Sequence, residues 1–303
     1  MTTVLPGSTY GAQGGTTLGG TLWTSVAYGA GLFVAFPLFS ATNLNCSGGW
    51  CTYGLMTSPD GLVWTLRGRP DGNFVSLIFA NNKFAAAGMM GSAVNNNLVA
   101  VFMSSADGIA WVRVNITMPT GADTIPSVSW GNNVYIVLAY GSTQASGQSL
   151  AVGTGWVLRS TDDGATWTGR DAVAKNKWRS VAFGNNMFVA VSTITYNQND
   201  NSTRSMTSSD FGVTWIAGGP MAGFTYPSSI IWSTSANEFI VTVNGGYNGV
   251  ITSTNGASWT APAGGNNWGQ WLSIADNGNN QIIAVATGNN PRGSNTTRIM
   301  SSP

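Results

Sequence analysis

The chain has 303 residues, a formal net charge of +1, and only 8% charged side chains against about 25% in an average soluble protein. It has no histidine, which excludes Ser-His-Asp and Cys-His catalysis and histidine-ligated metals. Its 12 Lys and Arg are scattered and form no phosphate-tracking stripe, so no nucleic-acid partner is expected. The 40 glycines and 13 tryptophans, with abundant Asn, Ser, Thr and Val, favour strands and tight turns over helices. No run of 18 apolar residues occurs, so no membrane insertion is expected. The start Met1 to Gly7 has neither a basic nor an apolar segment and does not read as a signal peptide.

In chain order, a unit of about 50 residues recurs. Its first part is a Ser, a short apolar run, a Gly/Asn turn and an aromatic-led strand. It begins at Ser25, Ser76, Ser127, Ser180, Ser229 and Ser273, at spacings of 51, 51, 53, 49 and 44. The Gly-Asn-Asn turns at 131–133 and 184–186 suit two-residue hairpins with positive φ. A variable stretch follows. A third strand comes next, with an apolar residue (Met56, Met103, Leu158, Met206 or Ile251) two positions before a box. The box reads S-x-D-x-G-x-T-W at Ser160–Trp167 and Ser208–Trp215. One-residue-shorter copies are Ser58–Trp64, Ser105–Trp111 and Ser253–Trp259.

The box predicts a hairpin turn. Asp60, Asp107, Asp162, Asp210 and, by replacement, Asn255 accept backbone N–H bonds across it. Trp64, Trp111, Trp167, Trp215 and Trp259 open the fourth strand and bury their rings against the blade, as structural rather than binding groups. Four antiparallel strands per 50 residues is one propeller blade. Six copies of the first hairpin predict an all-β, six-bladed β-propeller with four-stranded antiparallel blades. It forms a single domain over 1–303, with blades beginning near 22, 73, 124, 177, 226 and 270. Residues 1–21 are read as a closing strand and linker. Thr2–Leu5 is the candidate that closes the ring with the C-terminal strand, where Met300 to Ser302 resembles the start of a sixth box.

The boxes resemble the Asp-box (BNR) repeat of sialidases, xyloglucan hydrolases, sortilin-like receptors and phage tail proteins. The texture of Trp178–Val191 is similar to propellers in phage tail fibres and other virion adhesins. The resemblance implies a non-catalytic phage tail or fibre protein. Such a protein would sit on the virion surface and become extracellular after host lysis. It would bind a host surface glycan or receptor, contact other virion proteins, and as a fibre component could be a homo-oligomer. A decoration or tail-assembly subunit and a sialidase-like or other glycoside-active enzyme are the alternatives.

The residues argue against an enzyme. A sialidase-like site needs an arginine triad, an acidic acid/base and a Tyr–Glu pair, and the single glutamate, Glu238, falls in a predicted hairpin turn. Glycosidases need two carboxylates at a defined separation, and no spacing among Asp71, Asp123, Asp171, Asp200 and Asp276 indicates a pair. No cofactor and no metal are expected. Binding is assigned to the long insertions before the boxes, where Trp50, Tyr140, Trp156, Tyr196 and Tyr247 lie among amides and hydroxyls suited to sugars. Cys46 and Cys51 are equally compatible with two free thiols and with a small-loop disulfide.

Overall fold

The computed structural model describes residues 23–301 apart from 38–45, 48–49, 52–54, 71–72, 91–98, 142–154, 175, 195–202, 220, 222–225, 244–248, 262–269, 277, 279–280 and 288–297. The described residues contain strands and turns and no helix. The chain falls into two compact units, Met1–Arg113 and Val114–Pro303.

In the first unit, one sheet takes β1 (Trp23–Gly29) and β2 (Leu32–Pro37). A short hairpin of β3 (Cys46–Ser47) and β4 (Trp50–Cys51) interrupts it, and Cys46 and Cys51 are register partners there. The sheet then adds β5 (Met56–Ser58) and β6 (Thr65–Leu66), while β7 (Arg69–Pro70) pairs with β4. The second sheet takes β8 (Asn73–Ala80), β9 (Lys83–Met90), β10 (Val99–Ser105) and β11 (Val112–Ile116), and the unit boundary falls within β11.

In the second unit, one sheet is β12 (Thr124–Gly131), β13 (Val134–Tyr140), β14 (Gly155–Ser160) and β15 (Thr168–Asp171). The next is β16 (Lys177–Gly184), β17 (Met187–Ile194), β18 (Ser205–Ser208) and β19 (Ile216–Ala217). A sheet of β20 (Pro227–Ser233), β21 (Glu238–Val243) and β22 (Val250–Ser253) follows. The last is β23 (Gln270–Asp276), β24 (Ile282–Thr287) and β25 (Arg298–Ser301).

These sheets are antiparallel β-propeller blades, but the expectation of six is corrected to five. The first four sheets have four strands each. The fifth reaches the same plan through Thr260, whose backbone exchanges both hydrogen bonds with Thr252 where a fourth strand would run. The last sheet has three described strands. The reason is physical. The count of six rests on the first hairpin, which does recur six times, but a blade also needs a box and a fourth strand, and the box ending in Trp, long or short, recurs five times. The expected closing strand, Thr2–Leu5, lies outside the described residues. Glu238, expected in a turn, instead opens β21 opposite Ser233.

The hairpins form where the residues tolerate them. Asn81 and Asn82, Asn132 and Asn133, and Asn185 and Asn186 all have φ between 46° and 60°, the left-handed pair that a two-residue turn between right-twisted strands requires. The box turns share one design. In the short box, Asp60 accepts the N–H groups of Leu62 and Val63 at 2.8 and 3.0 Å and the Ser58 hydroxyl at 3.0 Å. Asn255 reproduces this with its amide oxygen, taking Ala257, Ser258 and the Ser253 hydroxyl. In the long boxes the inserted residue is itself left-handed (Asp163 at φ 61°, Phe211 at 58°), followed by a left-handed glycine. The box Asp then reaches Thr166 or Thr214 through both backbone and hydroxyl.

The tryptophans that open the fourth strands are half-buried and tie back to the turn. The indole N–H of Trp64, Trp111 and Trp167 donates to the carbonyl of Gly61, Gly108 and Gly164. Trp259 donates instead to the Ser205 hydroxyl at 3.1 Å, and the buried Trp215 Nε1 has no partner.

Three contacts join one sheet to the next inside each unit. The recurring Ser accepts a backbone N–H from the following first strand: Leu77 to Ser25, Val181 to Ser127 and Ile230 to Ser180, at 3.0–3.3 Å. The glycine ending a first strand receives an aromatic ring from the next sheet. A Cβ on Gly29, Gly131 or Gly184 would fall within 2.0–2.1 Å of Phe79, Phe183 or Trp232. The box glycine of the following sheet covers an aliphatic on the second strand: Gly108 lies over Val34, Gly212 over Ile136 and Gly256 over Val189. Buried apolar side chains from consecutive sheets therefore merge into shared cores, such as that of Val134, Leu138, Trp178 and Phe188.

Candidate functional site

Antiparallel pairing sorts the connections by end. Hairpin turns and boxes lie at one end of each sheet. The beginnings of the first and third strands, and the strand ends that flank the long insertions, lie at the other. At the insertion end of the second unit, Asp123, Tyr140 and Arg179 come together.

Asp123, just before β12, donates its backbone N–H to the Tyr140 carbonyl at the end of β13 at 3.1 Å, and its carboxylate accepts the Thr124 hydroxyl at 2.7 Å. Arg179, exposed on β16, reaches from the next sheet and hydrogen-bonds the Tyr140 hydroxyl. Burial raises the Tyr140 phenol above its ordinary pKa, the Arg179 cation opposes that rise, and the Asp123 carboxylate adds to it. Tyr140 is therefore a neutral donor and acceptor at pH 7. One sheet further on, Arg204 is buried where β18 begins, and its carbonyl accepts the Ser192 N–H at 2.9 Å. Desolvation lowers its pKa, and the nearby Tyr226 phenol acts against this. An anion-binding guanidinium, a phenol and a carboxylate thus meet at one end of two adjacent sheets. That set can hold sugar hydroxyls or an acidic group and can exchange a proton at Asp123.

Of the residues assigned to binding, Tyr140 belongs to this cluster. Trp156, at the start of β14, is buried beside Gly121, so its ring is covered rather than offered to solvent. Trp50 lies in β4, in the other unit. Tyr196 and Tyr247 lie outside the described residues, as do Asp71 and Asp200. Asp276 accepts the Gly278 N–H at the turn end and is remote from the cluster's end of its sheet. Among the described residues no group of three potential metal ligands occurs. In the sequence, Asp123 stands in a general pool of acids and no single arginine is marked out. A signal was present: Asp123 stands four residues before Ser127 and Arg179 one before Ser180, so both lie near the starts of consecutive first strands.

No protein-family model matches the chain, and no curated protein sequence matches it. Solved structures do match by fold. An α-L-arabinanase from Penicillium chrysogenum, solved with arabinobiose, aligns over 93% of this chain and 92% of its own at 15% identity, with a TM-score of 0.57. A Trypanosoma rangeli sialidase mutant with trans-sialidase activity aligns over 93% of this chain and 54% of its own at 11% identity, with a TM-score of 0.52. The chain shares its fold with β-propeller glycosidases. The β-propeller domain of the Trilobed protease from Pyrococcus furiosus aligns over 93% and 95% at 8% identity, with a TM-score of 0.53.

These likenesses correct the expectation of a non-enzyme. The argument against catalysis came from sparse charge and from motifs. A sialidase and an arabinanase are built on the same propeller, so this architecture is no ground for excluding turnover.

Proposed function

We propose that this chain is a glycoside-active β-propeller. Its carbohydrate site would lie at the insertion end of the second unit, around Asp123, Tyr140 and Arg179. The observation that carries the reading is the Arg179–Tyr140 hydrogen bond beside the Asp123 carboxylate, formed across two sheets at the end where the long polar insertions enter. The fold shared with an arabinanase and a sialidase supports it. Arg179 and Tyr140 position hydroxyls or an acidic substituent of the sugar, and Asp123 is one of the two carboxylates that glycoside hydrolysis requires.

The test is release of reducing sugar or sialic acid from arabino-oligosaccharides and sialyl-lactose. Asp123→Asn is expected to lower kcat by at least about 100-fold with the far-ultraviolet dichroism unchanged. Arg179→Ala is expected to act mainly by raising KM. Full activity in Asp123→Asn would remove the site from this place in the fold. No turnover of any glycoside by the unaltered chain would remove the reading itself.

A further inference from the structure

The fifth box differs from the other four in the chemistry of its turn. Where they carry an Asp it carries Asn255, and Gly256 follows directly. In an Asn-Gly pair no side chain obstructs the glycine nitrogen on its way to the preceding amide carbon. Attack of that nitrogen on Cγ expels ammonia and closes a five-membered succinimide. Water then opens the ring at either carbonyl. One opening gives aspartate, the other the isomer whose main chain runs through the side-chain carbon. Asp60-Gly61 and Asp107-Gly108 have the same spacing, but backbone N–H groups hold their carboxylates below the usual pKa, and a carboxylate resists this attack.

In the folded box the reacting groups are already engaged. Asn255 Oδ1 accepts the N–H groups of Ala257 and Ser258 at 2.9 Å each and the Ser253 hydroxyl at 3.1 Å. The N–H of the buried Gly256 donates to the Ser253 hydroxyl at 2.8 Å, with Gly256 at φ 67°. An imide nitrogen carries no hydrogen, so ring closure loses that bond. Drawing Cγ onto the nitrogen also pulls Oδ1 off its donors.

Much of what keeps this box closed comes from the sheet before it. Trp64, Trp111 and Trp167 donate to their own box glycines, whereas Trp259 donates to Ser205 of the fourth sheet. Gly219, just after that sheet, donates its N–H to the Ala257 carbonyl at 2.8 Å, and Gly256 lies over Val189. Among the described residues, a single Thr252–Thr260 pair stands where the first four sheets have a fourth strand.

We propose that Asn255 is a gated deamidation site. It is inert while the fifth box is docked on the fourth sheet, and water converts it to aspartate or isoaspartate when the two separate. The reaction makes a transient opening permanent. Aspartate can rebuild the turn as in the other boxes. Isoaspartate adds a carbon to the main chain and cannot bring its carboxylate to the same two N–H groups. The modified fraction is a chemical record of how often this joint opens, and it does not depend on glycoside activity.

The experiment is peptide mapping of the full chain by mass spectrometry after incubation in alkaline buffer, with the amide-to-acid mass gain localised to Asn255 by fragmentation. The native chain is expected to convert at least about 100-fold more slowly than the chain unfolded in urea. Ser253→Ala removes the acceptor of the Gly256 N–H, and Trp259→Phe removes the tie to Ser205. Each is expected to raise the native rate at least about 5-fold and to leave the rate in urea unchanged. Trp167→Phe, which leaves the fifth box intact, is expected to change neither rate. Folding is checked by far-ultraviolet dichroism. If a variant fails to fold, the unaltered chain in urea below its unfolding transition supplies the same test, since conversion should rise there before global unfolding begins. Four results would overturn the proposal: native conversion as fast as unfolded, no conversion in urea, a native rate that no loosening of the box raises, and one that Trp167→Phe raises equally.

Discussion

Asp162 and Asp210 show how an acid is held in its charged form without a cation. The Thr166 hydroxyl and N–H, with the Ser160 hydroxyl, bring Asp162 down to about 2. For Asp210, partial burial pushes upward and is outweighed by Thr214, Ser208 and Val213, which again give about 2. The folded pKa lies below the unfolded one, so the stabilisation is complete above about pH 5 and is lost as pH falls through 4 towards 2. Urea midpoints are therefore expected to drop between pH 5 and pH 2. Asp162→Asn with Asp210→Asn should flatten that drop and lower the midpoint at pH 7, because the second carboxylate oxygen, which accepts the Thr166 or Thr214 hydroxyl, becomes an amide NH2 that cannot. An unchanged acid slope in the double variant would show that the box acids are not its source. The turn chemistry of these boxes was legible from residue type alone. The extra left-handed residue that absorbs the insertion in the long boxes was not, because a pattern with one more position does not say which position turns.

At the scale of the element, the glycine ending a first strand is a shape requirement set by another strand. Gly184 does not adopt a left-handed φ; it is small because Trp232 lies against it. Where the next sheet offers Asp276 in place of the ring, the residue opposite is Ser233, and a Cβ is accommodated. Gly184→Ala is expected to cost about 1–3 kcal/mol by overpacking. Trp232→Val should recover part of that loss in a double-mutant cycle, read by urea denaturation. Additive costs would mean the ring does not set the residue. The sequence displays Gly after the aromatic as part of a turn signal, and its packing role emerges only when the neighbouring sheet is in place. The recurring Ser behaves in the same way. Its period was plain, and its bond to the next strand's N–H needed the structure.

Over the whole molecule, the absence of histidine has a thermodynamic consequence. Among the described residues, the box acids are held below and Tyr140 above their ordinary pKa, away from neutrality, and Arg204 alone is drawn the other way, by desolvation. Folding stability is expected to vary by less than about 0.5 kcal/mol between pH 5 and pH 7. A steeper slope in chemical denaturation across that window would contradict it.

By itself, the sequence determined the strand period, the turn types and the box chemistry, because these depend on residues within a few positions of one another. The five boxes were visible in the sequence, but only the tertiary structure showed that, among the described residues, a fourth-strand position is paired in five sheets, since pairing a fourth strand is a long-range event that a recurring first hairpin does not report. Only the tertiary structure brought Asp123, Tyr140 and Arg179 together. Separated by 17 and 39 residues, they meet through the Asp123 N–H on the Tyr140 carbonyl and Arg179 on the Tyr140 hydroxyl, because consecutive sheets begin at the same end. The sparse charge that excludes so much at first sight leaves few candidates, and the fold selects among them by placing them at one end of two neighbouring sheets.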